Sequence, residues 1–181
     1  MEINNDFRKL ARFSKKLKTD YINKRDVETF IDSVKKLGEK VVVVDVRENT
    51  FFKTKQGFGP RELTKQLAAK NIEYMRYKYL GNPFHKYYKT EPDKAKLVYT
   101  TYLRVDDNAH AELNDFYKQL RFKKTFCLTC YCDTLDAMKC HRFWLKEALI
   151  NKKRECLGLE PTFRVVQWNE DPMKEEIEVE N

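Results

Sequence analysis

Four consecutive valines, Val41 to Val44, sit inside the run Lys40-Val41-Val42-Val43-Val44-Asp45-Val46-Arg47. A strand with one wet face alternates apolar and polar residues; an unbroken β-branched run is what a strand covered on both faces requires. The run therefore predicts a central, parallel strand, and parallel neighbours need crossover helices. At four residues it is also the longest apolar run, far too short to span a bilayer, so membrane insertion is excluded as a reading.

Helical and strand signals alternate around it. Val27, Phe30, Ile31, Val34 and Leu37 repeat at three and four residues, begin beside a candidate cap at Asp26 and stop at Gly38. Pro60 opens a helix through Leu63, Leu67 and Ala68 to about Lys70. Ile72 to Tyr79 reads as a strand ended by Gly81-Asn82-Pro83, and residues 84–107 as an insertion or lid with a helix through Leu97, Thr101 and Leu103. Ala109 to Leu120 reads as helix, Thr125 to Cys130 as a buried strand, His141 to Asn151 as helix and Thr162 to Trp168 as a last strand. The expected fold is α/β and three-layer, a short, mostly parallel sheet of about four strands with helices on both faces. Its expected division is a basic helical N-terminal extension over 1–38, an α/β domain over 39–168 and an acidic tail over 169–181.

Charge is distributed unevenly. The chain of 181 residues carries 36 Lys and Arg against 28 Asp and Glu, a formal net charge of +8, yet Glu170 to Glu180 holds six acidic residues and one lysine. A basic body suits anionic partners, and it also suits plain solubility. Arg8, Lys9, Arg12, Lys15, Lys16 and Lys18 accompany Phe7, Leu10, Phe13 and Leu17 at helical spacing, giving a basic outer face. Arg76-Tyr77-Lys78-Tyr79 and Phe84-His85-Lys86-Tyr87-Tyr88-Lys89 interleave cations with rings, which a nucleic acid could use for phosphates and stacking. Five cysteines with no export signal predict a cytoplasmic chain with free thiols, a metal site or a catalytic thiol rather than a disulfide framework.

Most of the reactive side chains fall in one stretch, Cys130-Tyr131-Cys132-Asp133 followed by Cys140-His141-Arg142, between a strand and a helix. In an open α/β sheet that turn lies at the carboxyl end of a strand, where ligands bind. As a catalytic set, Cys130 or Cys132 supplies a nucleophile and His141 a general acid or base. Arg142 grips a phosphate, with Asp45 and Arg47 approaching from the neighbouring strand end and Lys53 and Lys55 adding positive charge. As a metal set, Cys130, Cys132, Cys140 and His141 offer three sulfurs and a nitrogen, a donor set that admits zinc, or an iron–sulfur cluster with an open iron; Cys127 could replace one sulfur. Against zinc stands the spacing, with one residue between Cys130 and Cys132 where zinc knuckles carry two or more. As plain structure, Cys127 and Cys156 pack as small apolar groups, Arg142 pairs with Asp45 and Asp133 caps the turn.

Three stretches together resemble the family called domain of unknown function four-eight-eight. They are Asp45-Val46-Arg47, the segment from Phe58-Gly59-Pro60-Arg61-Glu62-Leu63 through Asn71-Ile72-Glu73-Tyr74 to Leu80-Gly81, and the loop from Cys130 to Arg142. The resemblance spans about Val41 to Ile150 and implies a compact α/β domain. It assigns no reaction. That family's usual form has a cysteine, one residue, a glutamate and later a Cys-His-Arg triplet; here Cys130 and Cys140-His141-Arg142 match, and Cys132 stands where the glutamate is expected. A weaker likeness to rhodaneses and cysteine phosphatases is one of topology, since the residues six after Cys130 and Cys132 are Asp136 and Met138, not arginine. The function expected is an enzyme acting on a phosphate-bearing small molecule, a nucleotide or nucleic acid; the alternatives are a metal-binding module and a nucleic-acid binder without catalysis.

Overall fold

The computed structural model describes residues 2–49, 57–84, 91–132 and 140–160. Four strands among these residues form one sheet: β1 (Leu17–Tyr21), β2 (Val41–Asp45), β3 (Glu73–Arg76) and β4 (Thr125–Cys130), in the order β1-β4-β2-β3, all parallel. Among the described residues six α-helices surround it: α1 (Glu2–Lys16), α2 (Val27–Lys35), α3 (Pro60–Ala68), α4 (Pro92–Val105), α5 (Asp107–Gln119) and α6 (His141–Cys156). The expected three-layer α/β architecture is the one found. Among the described residues no helix is long and apolar enough to cross a membrane.

The valine run does what its composition demands. All five residues of β2 are buried, and period-two alternation sends Val42, Val44 and Val46 into one core and Val41 and Val43 into another. The first core packs α1, α4, α5 and α6 against the sheet; the second packs α2 and α3. Handedness explains the division. The connections from β1 to β2 and from β2 to β3 run in one direction along the sheet, and that from β3 back to β4 runs in the other. Right-handed crossovers therefore put α2 and α3 on one face and α4 and α5 on the opposite one.

Local signals held where they had a mechanism. The Asp26 carboxylate accepts from the Thr29 N–H at 2.7 Å to cap α2, Pro60 opens α3, and Gly38 takes φ +137° just past α2. Three readings change. Leu17 and Lys18 belong not to a helical extension but to β1, the outermost strand on that side among the described residues, whose Leu17 pairs with Phe126 and Tyr21 with Cys130. The strand expected over Ile72 to Tyr79 stops at Arg76 and gives way to a 3-10 turn, Lys78–Leu80. Cys156 is exposed rather than packed. The strand expected over Thr162 to Trp168 lies outside the described residues.

Candidate metal centre

Because β2 is followed by a helix on one face and β4 by a helix on the other, the crevice between their carboxyl ends is the topological switch point of the sheet. Cys130 is the last residue of β4, Cys132 lies two residues beyond, Cys140 is the N-cap of α6, and His141 and Arg142 occupy its first turn. The fold thus closes a ten-residue detour onto itself. The three Sγ atoms and a ring nitrogen of His141 lie within 4.8 Å of one another, and the Cys130 and Cys140 sulfurs are 3.2 Å apart. Cys130, Cys140 and His141 are buried, and Cys132 is partly exposed.

The second ring nitrogen fixes the tautomer. His141 Nε2 lies 3.1 Å from the Val46 carbonyl; a carbonyl only accepts, so Nε2 carries the proton and Nδ1 is the nitrogen left to act as a ligand. A carbonyl behind a metal-ligating imidazole is the usual supporting arrangement. The ring edge also meets Tyr99 in a T-shaped contact, 5.7 Å between centroids, which holds its plane.

Electrostatics follow from burial and from the hydrogen bonds among these four groups. Burial pushes the Cys130 thiol well above its ordinary range, with hydrogen bonds to Cys132 and Cys140 adding to the shift. Cys140 moves the other way, because hydrogen bonds from Cys130 and Cys132 stabilise its thiolate more than burial opposes it. For His141, burial disfavours the cation, but hydrogen bonds to Cys132 and Cys140 outweigh it and push the imidazole up to about 10. These last two shifts share a cause, the thiolate form of Cys140 and the protonated form of His141 stabilising each other, and a divalent cation would replace the protons that hold the cluster together.

Arg142 lies beneath the cluster and is fully buried. Its Nη1 donates to the Asp20 carbonyl at 3.0 Å, to the Cys132 carbonyl at 3.1 Å and to Cys130 Sγ at 3.3 Å. One guanidinium therefore ties the end of β1 to the cysteine loop. The anticipated pairing of Arg142 with Asp45 does not occur, because Asp45 is engaged elsewhere. Arg47 Nε and Nη2 grip its two oxygens at 2.8 and 2.6 Å, and Tyr74 Oη donates to Oδ2 at 2.7 Å. Arg47 Nη2 also donates to the Phe58 carbonyl at 2.9 Å, and its Nη1 has no partner among the described residues.

The anticipated site is thus divided between the two faces of the sheet. Asp45 and Arg47 alternate onto the α2–α3 side with Phe58 and Tyr74, while Cys130, Cys140 and Arg142 lie on the α6 side. The Val46 backbone lies between the two sets, its carbonyl against His141 and its N–H donating to the Thr129 carbonyl. Cys127, three residues before Cys130, points into the α2–α3 core and is not near the cluster. Lys53, Lys55 and Asp133 lie outside the described residues. Sequence reasoning missed the Val46 and Asp20 carbonyls and Tyr99, none of which carries a recognisable motif; Tyr74 sat within the resembling stretch without a role.

Fold and site together define a parallel α/β domain with a three-cysteine, one-histidine cluster at its switch point. The chain belongs to the family described as Domain of unknown function DUF488, whose model matches residues 26–149. The match takes in β2, β3, β4 and the whole cluster, and leaves α1 and β1 outside. No curated protein and no solved structure matches the chain.

Proposed function

We propose that this protein is a zinc-binding α/β domain in which Cys130, Cys132, Cys140 and His141 hold one ion that fixes the β4–α6 connection. The observation that carries the reading is the convergence of four donor atoms within 4.8 Å. Tetrahedral zinc with bonds of about 2.0–2.3 Å sets donors roughly 3.4–3.8 Å apart, so the cluster needs only small side-chain adjustments, with Cys132 the freest to make them. An iron–sulfur cluster binds its ligands on different irons and needs them farther apart.

Charge supports the same reading. Zinc with three thiolates and a neutral imidazole carries a formal charge of −1, and the buried Arg142 cation at 3.3 Å from Cys130 Sγ balances it. Four protein ligands make a closed centre, the form zinc takes in structural sites. The catalytic reading, a phosphate-handling enzyme, draws support from the position at the switch point. It draws none from the arginines, since both guanidiniums are buried and hydrogen-bonded within the protein.

Elemental analysis of anaerobically purified full-length chain tests the proposal. About one zinc per chain is expected, lost in Cys140→Ser and strongly reduced in His141→Ala, and cobalt substitution should give the intense visible bands of a tetrahedral thiolate site. Folded, metal-free protein that takes up neither ion would refute it.

A further inference from the structure

Helix α1 is amphipathic, and its two faces have different fates. Leu10 and Phe13 are buried in the core. On the opposite stripe Arg8, Arg12 and Lys15, at i, i+4 and i+7, are exposed and make no ion pair or hydrogen bond among the described residues. Asp6, which could have neutralised one of them, is taken by Lys9 at 2.8 Å.

The basic row continues at Lys16, one turn beyond Arg12. Lys16 Nζ donates to the Leu120 and Phe122 carbonyls at 3.0 and 2.9 Å, which seats the end of α1 on the turn before β4. There Lys123 of that turn and Lys153 of α6 stand close enough that, after burial, their repulsion lowers the Lys16 pKa. Like charges concentrated this way destabilise a fold unless a partner neutralises them. Solubility alone is served as well by dispersed charge.

From this we infer that the outward face of α1, with Lys16, Lys123 and Lys153, binds the phosphate backbone of a nucleic-acid duplex, on a surface separate from the cysteine cluster. From Arg8 to Lys16 the row is about 12 Å long at 1.5 Å per residue. A duplex carries one charge per about 1.7 Å of axis, so the row faces roughly seven phosphates. Arg8, Arg12 and Lys15 are cations suited to phosphate oxygens, and such contacts position a duplex without reading its sequence. An anionic membrane fits less well: its insertion needs a continuous apolar helix face, and Leu10 and Phe13 of α1 are already buried in the core, which leaves Phe7 as its exposed large apolar side chain among the described residues.

The experiment uses full-length, zinc-loaded protein and a fluorescein-labelled 20-base-pair duplex of mixed sequence, followed by anisotropy between 50 and 200 mM NaCl. With about five phosphates neutralised, the log–log salt slope is about −4.5 and affinity falls about 500-fold over that range. The triple variant Arg8→Ala, Arg12→Ala, Lys15→Ala should weaken binding at least tenfold at 50 mM and shallow the slope by about 2.7. A control, Lys35→Ala, Lys36→Ala, Lys70→Ala, removes the same charge from exposed positions on the α2–α3 side and should leave slope and affinity near wild type. Absence of duplex binding at 50 mM would overturn the inference. So would equal losses in both triple variants, since that reports net charge and not this face. Binding to phosphatidylserine vesicles in place of the duplex, with the same sensitivity to the α1 variant, would overturn it as well.

Discussion

Replacing Arg142 by methionine separates a structural guanidinium from one reserved for a ligand. The side chain is fully buried, so methionine retains much of the apolar stem while removing the hydrogen bonds that Nη1 makes among the described residues. Two of these satisfy the Asp20 and Cys132 carbonyls. Leaving the buried Asp20 carbonyl without its donor costs roughly 1–3 kcal/mol, and the half-buried Cys132 carbonyl, which water can reach, adds less, so Arg142→Met should destabilise the protein by about 1–4 kcal/mol. Against a typical total of about 5–15 kcal/mol, that is a large fraction.

The zinc proposal adds a second signature. In the loaded protein the substitution also uncovers a buried centre with formal charge −1, so the loss should be greater with zinc bound than after chelation, and zinc affinity should fall. Urea denaturation followed by the fluorescence of buried Trp144, with and without a chelator, gives both numbers. Arg142→Lys, which keeps the charge but not the fork, should fall between wild type and methionine. A loss below about 1 kcal/mol with unchanged zinc content would refute the reasoning. An arginine held for a substrate commonly behaves that way, because functional groups are often kept at the expense of stability.

Other outcomes follow from single environments. Burial, with the Asp20 carboxylate adding, pushes the Cys127 thiol up to about 12; a raised folded-state value means stability present below the ordinary thiol range and lost as pH rises toward 12. That loss is up to about 4 kcal/mol, and Cys127→Val should flatten the stability profile between pH 9 and 12; coincident profiles would contradict it. Gly81→Ala drives a Cβ into the Glu48 backbone, 2.6 Å from its Cα, and overpacking of this kind should lower stability by about 1–3 kcal/mol in the same denaturation assay. Asp106→Ala removes the acceptor that caps α5 through the Ala109 N–H at 2.9 Å and should cost about 1 kcal/mol, with hydrogen exchange rising first in that helix's opening turn.

Much of the fold was legible because the valine run leaves few options. Residues of one chemical kind at consecutive positions force two covered faces, and two covered faces force crossovers; the observed layers then follow from handedness. Strand β1 was not legible. Phe13 and Leu17 are four apart, so Leu17 reads as the next turn of α1, and only pairing of Leu17 with Phe126 and of Tyr21 with Cys130 makes it a strand. A pairing partner more than a hundred residues away has no local signature, and here it overrides the local pattern.

The site shows the same division between what side chains declare and what the backbone decides. The donor types at Cys130, Cys132, Cys140 and His141 were visible in the sequence, and the spacing between the first two argued against zinc. Knuckle spacing, however, is a rule for cysteines that must converge from one short turn. In this chain Cys130 is paired with Tyr21 of β1 and follows Thr129, which pairs with Asp45 of β2, and Cys140 and His141 are delivered by the start of a helix packed across the same sheet end. Convergence is thus imposed by the sheet and α6 and does not depend on the number of residues between Cys130 and Cys132. The same logic reassigns Asp45-Val46-Arg47. Its two charged side chains suggested catalysis, yet alternation turns them to the far face, and it is the residue between them, through a backbone carbonyl that any amino acid would supply, that orients His141.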